Sequence, residues 1–267
     1  MYTGTVELEI KRQQAMAACT RMRNFYLDLK TLYSKHGINL EANRGRRNVL
    51  MSAPMEKFLA EEMHSSGLYK SVINDGRTGC ADISVVLQSG QDLELECKLT
   101  SPSQSAGAIA FQTDHDTLLR KGSLDYIYII ANEDFDKFTV IHFKGLTIDD
   151  FRGLSPGARG KVQMYKYMGM KKADVLLGGA TSSTDVKIEK IKHGFSDKNT
   201  QTKKDIANWK TKLANLTTGQ NYQSSKLDRQ IIRSQNKYDE SLNKMAEEIR
   251  IASLSKARYT FSFEELK

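Results

Sequence analysis

Apolar residues recur along the chain with two periods, and the period changes from segment to segment. Between residues 5 and 36, Ala15, Ala18, Met22, Phe25, Leu29 and Leu32 return at helical spacing, and His36-Gly37 closes the pattern. From Ser52 to Met63, the residues Met55, Phe58, Leu59 and Met63 make a second helical stripe, with Pro54 at its predicted start and Gly67 beyond its end. After Cys80 the period drops to two. Ala81, Ile83, Val85 and Leu87 alternate with Asp82, Ser84, Val86 and Gln88, and Leu93, Leu95, Cys97 and Leu99 alternate with Glu94, Glu96, Lys98 and Thr100. Ser89-Gly90-Gln91 predicts the hairpin loop between them, because glycine accepts positive φ. Ser101-Pro102 opens a predicted helix that runs to Arg120-Lys121 and stops at Gly122. Leu124–Ala131 is the continuous apolar run of a buried strand, and Phe138–Phe143 is another strand. Further on, Asp185–Lys192 alternates like a strand with one cationic face. Residues 202–216 and 224–256 read as two polar helices, each with a narrow apolar stripe. The pattern describes an α/β (α+β) chain with a mixed central sheet flanked by helices and a basic helical C-terminal region.

The polar face of the hairpin carries the candidate chemistry. With a three-residue loop, Asp82 falls opposite Lys98 and Ser84 opposite Glu96. Asp82 and Glu96 are then diagonal neighbours with Cβ atoms about 5–8 Å apart. A hard cation such as Mg²⁺ bridges such a gap through carboxylate oxygens, and the Cys97 carbonyl offers a further ligand while its thiol points into the apolar layer. The competing reading is a solvated surface hairpin, since Glu-x-Lys is common on exposed strands and opposite charges favour such pairs.

Asp82 with Glu96-Cys97-Lys98, preceded by one helix and followed by a helix and two strands, resembles the PD-(D/E)XK nuclease superfamily, and type II restriction endonucleases within it. Ala81 stands where the family name has proline. The resemblance implies a restriction-endonuclease-like core, with Asp82 and Glu96 as metal ligands and Lys98 positioning or deprotonating the attacking water. It also implies Mg²⁺ as cofactor, with Mn²⁺ able to substitute, and no nucleotide cofactor. Glu56 on the preceding helix is an accessory candidate, which first-turn dipole stabilisation would equally explain. Gln112, on the predicted helix after the hairpin, is a second accessory candidate. The implied reaction is hydrolysis of double-stranded DNA at a specific site, leaving 5′-phosphate and 3′-hydroxyl ends, by a homodimer reading a symmetric sequence within restriction-modification. A repair or recombination nuclease of the same superfamily, a non-catalytic nucleic-acid-binding protein, and a helical protein whose basic tail binds RNA are the alternatives. An exonuclease of the lambda type is disfavoured, because Gln112 is followed by Asp116 where tyrosine is expected.

Charge sharpens the division of the chain. Residues 1–150 hold 17 basic and 20 acidic side chains, whereas residues 151–267 hold 23 and 12. A basic region beside an acidic one suits a polyanionic substrate. The expected organisation is a helical segment over 1–44, a catalytic core over 45–150 and a basic region over 151–267, packed on the core. Candidate DNA contacts are Arg44, Arg46, Arg47, Arg159, Lys161, Lys171, Lys172, Lys190 and Lys192. The arginine cluster reads equally well as a solvated linker. The glycine-rich stretch before Lys161 fails the phosphate-loop test, because Val162 stands where Ser or Thr would hold Mg²⁺. Tyr165 and Tyr167 read as half-buried packing, and the consecutive Asp114-His115-Asp116 cannot share one helix face as a metal cluster. Cys19, Cys80 and Cys97 follow neither a disulfide nor a zinc pattern. No apolar stretch approaches a membrane span and the N-terminus lacks an apolar signal core. The expectation is therefore an intracellular, cytoplasmic protein of a prokaryotic cell or virus-infected host, without a membrane partner.

Overall fold

The computed structural model describes residues 8–76, 81–102, 109–154, 160–216, 221–255 and 257–266. Two helices come first, α1 (Arg12–Lys35) and α2 (Arg44–Ser65), followed by strands β1 (Tyr69–Ile73), β2 (Ile83–Leu87) and β3 (Asp92–Thr100). Next come β4 (Gln112–Asp114), α3 (His115–Lys121), β5 (Leu124–Ala131) and β6 (Lys137–Leu146), then β7 (Lys161–Gln163), α4 (Lys166–Gly169), β8 (Ala173–Leu177) and β9 (Gly179–Ser182). The long helices α5 (Ser183–Ala214) and α6 (Asn221–Ser253) precede the short strands β10 (Tyr259–Ser262) and β11 (Glu264–Glu265).

The main sheet runs β1-β2-β3-β5-β6, and β6 carries both β8 and β11 on its far side. Only β3 and β5 are parallel; the other pairs are antiparallel. A parallel pair needs a crossover, and residues 101–123 supply it. One sheet face, with Ile83, Val85, Leu95, Cys97, Ile127 and Ile129, packs against α1 and α2. The other face, with Tyr126, Tyr128, Ile141 and Phe143, is covered by Phe111, Leu118, Val162 and Met164. Burial on both faces explains why β5 reads as an unbroken apolar run.

Several elements depart from the sequence expectation. The buried face of α1 is Gln14, Ala15, Ala18, Cys19, Met22 and Tyr26, while Phe25 and Leu32 of the predicted stripe are exposed. Tyr26 goes inward because it packs on Phe135, ring centroids 4.9 Å apart. Helix α2 starts eight residues earlier than Ser52, so Pro54 lies inside it. Asn43 is the true cap: its side chain accepts from the Arg46 N–H at 3.0 Å. Among the described residues, the helix expected over 101–121 appears only as α3, capped by Asp114, whose carboxylate accepts from the Thr117 N–H at 2.9 Å. Residues 103–108 lie outside the described residues, and Gln112 stands in β4.

The Asp185–Lys192 segment is helical, not a strand. Ser182 caps α5 by accepting from the N–H groups of Thr184 and Asp185. The half-buried seam then continues through Ile188, Ile191 and Phe195 at helical spacing. The chain also divides elsewhere than at residues 44 and 151. Met1–Ala180 with Phe261–Lys267 form one compact body, and Thr181–Thr260 form another, in which α5 and α6 pack along each other as a helical hairpin. Helix α1 belongs to the first body and packs on α2. Among the described residues no helix is long and apolar enough to cross a membrane.

Candidate active site

The hairpin turns one residue earlier than its sequence suggests. Leu87 N–H donates to the Gln91 carbonyl and Gly90 N–H to the Leu87 carbonyl, so Gln88-Ser89-Gly90 is the loop, with Gly90 at φ 87°. Ser84 therefore pairs with Glu94 and Ile83 with Leu95. The register differs by two residues from the expected one, so each side chain keeps its face. Continued one residue further, this register sets Asp82 toward Glu96 and no longer opposite Lys98, though Asp82 itself lies in a bend just outside β2.

Strand β2 begins at Ile83, and just before it the Asp82 side chain continues the ladder. Its Oδ2 accepts from the Cys97 N–H at 2.7 Å, a charge-assisted bond in the place of a backbone one. The N–H and C=O of a strand residue point to the same side of the strand, so the Cys97 carbonyl also faces the Asp82 side, beyond the last β2–β3 pair. The Cys97 thiol is buried in the helix-side core, and burial first, then the charge of Asp82, pushes its pKa up. Lys98 Nζ lies 2.9 Å from Glu96 Oε2 and 3.5 Å from Asp82 Oδ2. Asp82, Glu96 and Lys98 side chains are 26%, 14% and 29% exposed, open enough for a ligand to reach them and dry enough to strengthen their interactions. Burial opposes the Lys98 charge, but Glu96 and Asp82 outweigh it and hold the ammonium pKa above its usual value. Asp82 Oδ1 and Glu96 Oε1 take no hydrogen bond from the described residues.

Glu56 joins the group from α2. It sits in the helix interior, so first-turn dipole stabilisation does not explain it. Partial burial, and then the nearby Asp82 charge, raise its pKa from 4.5 to about 7. Asn74 lies beside both: it tempers the rise in the Glu56 pKa, and its Nδ2 donates to the Asp82 carbonyl at 2.8 Å. No periodicity in the sequence marks Asn74, which follows the end of β1.

The raised Glu56 pKa carries a consequence for stability. Between 4.5 and about 7 the folded chain holds a proton that the unfolded chain has released. The stabilisation is complete below 4.5 and is lost as pH rises through about 7. Glu56→Gln removes this dependence. In chelator at pH 8 the variant is expected to be more stable than wild type by about 1–2 kcal/mol, allowing for solvent at a half-open site. Urea unfolding at pH 5 and pH 8 checks it. A wild-type protein that does not weaken relative to the variant between those pH values would contradict the assignment.

The donor set suits a hard divalent cation. Two carboxylates and a backbone carbonyl are oxygen donors, and Mg²⁺ is usually held by one or two carboxylates while water and phosphate complete its shell. Among the described residues no group of three or more His, Cys, Asp or Glu stands in metal-holding proximity. Asp82 and Glu96 would thus hold the ion together with the Cys97 carbonyl, water and substrate. No family model, curated protein or solved structure matches this chain.

The remaining candidates divide sharply. Arg47 is wholly buried, which removes it from any DNA surface. Its guanidinium donates to the Glu133 carbonyl and to Ser101 Oγ, and lies 5.3 Å from the Phe135 ring centroid. Arg44 pairs with Glu133 and donates to the Pro102 carbonyl, while Arg46 is exposed. Lys172 is drawn to the buried Asp150, at 2.7 Å, and Lys171 is exposed. Lys161 is exposed in β7 opposite Asp114, and Arg159 lies outside the described residues. Lys190 and Lys192, two residues apart on α5, point to nearly opposite sides of that helix, and Lys192 pairs with Glu189 at 2.7 Å. The cationic strand face expected there does not exist. Gln112 is exposed in β4 and makes no side-chain bond to Asp82, Glu96 or Lys98.

Proposed function

We propose that this chain is a Mg²⁺-dependent endonuclease of double-stranded DNA, of the type II restriction kind. The observation that carries the reading is Lys98 Nζ held between Glu96 and Asp82 at a sheet position where both carboxylates keep an oxygen free of described partners. A divalent cation held there would supply Lewis-acid relief of charge on a phosphate oxygen. Asp82 and Glu96 fix the negative field that holds such an ion against the backbone of a polyanion. Lys98 carries its proton throughout the neutral range, because its pKa is raised. As an ammonium it would orient the attacking water and offset charge growing on the phosphoryl oxygens, and with Asp82 and Glu96 drawn away from it by a cation it would be able to take the water's proton. The PD-(D/E)XK resemblance adds 5′-phosphate and 3′-hydroxyl products and a homodimer to the proposal.

Digestion of a sequenced closed circular plasmid with Mg²⁺, and with chelator as control, tests the reading, with the fragment ends then sequenced. Discrete fragments that require the metal are expected. Intact circles across Mg²⁺ and Mn²⁺ would overturn it, and a ladder growing from linear ends would indicate an exonuclease instead. Lys98→Met is expected to lower the cleavage rate about 10²–10³-fold while chelator-phase binding stays within a few-fold. An unimpaired Lys98→Met enzyme would remove the lysine from the chemistry.

A further inference from the structure

The helical hairpin carries a feature that the hairpin site does not use. Residues 181–260 hold 16 Lys and Arg against 9 Asp and Glu, a net of +7 in a chain whose total is +8. On α6 much of this excess lies on one face. At 3.6 residues per turn, Lys226, Arg229, Arg233, Lys237 and Lys244 fall within about 80° of arc and extend for about 27 Å of helix. All five are exposed, and none forms an ion pair among the described residues; the ion pair found on α6 there is Arg250 with Glu247. Glu240 is the carboxylate on that arc between Lys226 and Lys244, and it pairs with none of the five; Glu247, at the edge of the arc beyond Lys244, pairs with Arg250. Asp228 and Asp239 lie toward the opposite side. The apolar seam of Leu227, Ile231, Tyr238, Leu242, Met245 and Ile249, half-buried, follows a separate line about 120° around the helix.

An ordinary solvated helix face mixes signs, because opposite charges four residues apart attract and like charges repel. Arg229, Arg233 and Lys237 are like charges at that spacing. Such pairs weaken the helix slightly, and a polyanion along the face would offset them. A rigid row of cations about 4.5–6 Å apart, with one gap of about 10 Å at Glu240, can contact a row of phosphates. An anionic membrane is a poorer fit, since interfacial helices place a full stripe of large apolar residues beside their cations, whereas the large apolar residues exposed on α6 among the described residues are Ile232, about 60° off the arc, and Ile251, beyond Lys244.

We propose that this face of α6 is a phosphate-contacting arm that binds duplex DNA without regard to sequence. The proposal takes its probe from the endonuclease reading, but its test is independent of cleavage. Full-length wild type and a variant with all five cations changed to Gln are titrated with a 40-base-pair duplex in chelator over a series of salt concentrations, with circular dichroism confirming equal helicity. The variant is expected to bind about 100-fold more weakly at moderate salt, and its slope of log K against log salt is expected to be smaller by about 3–5, one unit per phosphate lost. Equal affinity and equal slope would overturn the arm. So would wild-type binding to vesicles rich in phosphatidylserine with none to duplex. If the charge removal weakens duplex binding as stated while wild type cuts no DNA with Mg²⁺, the arm stands and the endonuclease reading falls. If wild type cuts and the variant binds equally well, the arm alone falls.

Discussion

Replacing Asp82 with alanine is expected to abolish DNA cleavage, by at least about 10³-fold, while leaving chelator-phase duplex binding within a few-fold of wild type. The carboxylate is one of two that would hold the cation, and it also steers the Lys98 ammonium. Alanine has a second effect. The Cys97 N–H loses its acceptor, which costs about 1–3 kcal/mol at a part-buried position. Loss of activity from local unfolding must therefore be separated from loss of chemistry. Asp82→Asn does this, because an amide oxygen still accepts from the Cys97 N–H but carries no charge. It is expected to be as folded as wild type by thermal melting and as inactive as the alanine variant. Cleavage by Asp82→Asn at the wild-type rate would refute the site, whatever the alanine variant does.

The second large effect concerns stability. Arg47→Ala is expected to destabilise the first body by about 3–5 kcal/mol. That corresponds to a fall in Tm of about 10 °C for a domain of this size. Arg47 is the largest fully buried side chain among the described residues, and its removal leaves the Glu133 carbonyl without its donor, Ser101 Oγ with only the longer bond from Asn48, and a void beside Phe135 and Tyr26. Lysine cannot rescue it, because a single ammonium lacks the planar fork that reaches both acceptors. Arg46→Ala, one residue away but exposed, is expected to leave Tm unchanged within about 2 °C. Equal melting of the Arg47 and Arg46 variants would show that the buried arginine contributes nothing to the fold.

These neighbours show where local reading stops. In the sequence Arg44, Arg46 and Arg47 form one basic cluster. Helix geometry turns Arg47 inward, and the aromatic pair Tyr26 and Phe135, far away in sequence, receives it. The Asp185–Lys192 segment failed for a similar reason. Its alternation satisfies a strand over eight residues, yet the wider window from the Ser182 cap through Phe195 repeats at helical spacing. The expected helix over 101–121 rested on start and stop signals, but Ile109 and Phe111 are needed in the core on the far side of the sheet. Pro54 carries a local helix-start signal, yet the capping side chain, Asn43, lies eleven residues upstream.

Alone, the sequence determined the mixed helix-and-sheet character of the chain, the shared face of Asp82, Glu96 and Lys98, and the inward turn of the Cys97 thiol. Period-two alternation sets these, and it survives the two-residue change of register because an even shift returns every side chain to its face. Only the tertiary structure decided that Asp82 lies just outside β2 and replaces a missing backbone acceptor, that Glu56 and Asn74 come in from other elements, and that α5 and α6 form a body of their own. Those outcomes depend on where strands end and which elements pack together, and such contacts between residues distant in the chain leave no local pattern to read.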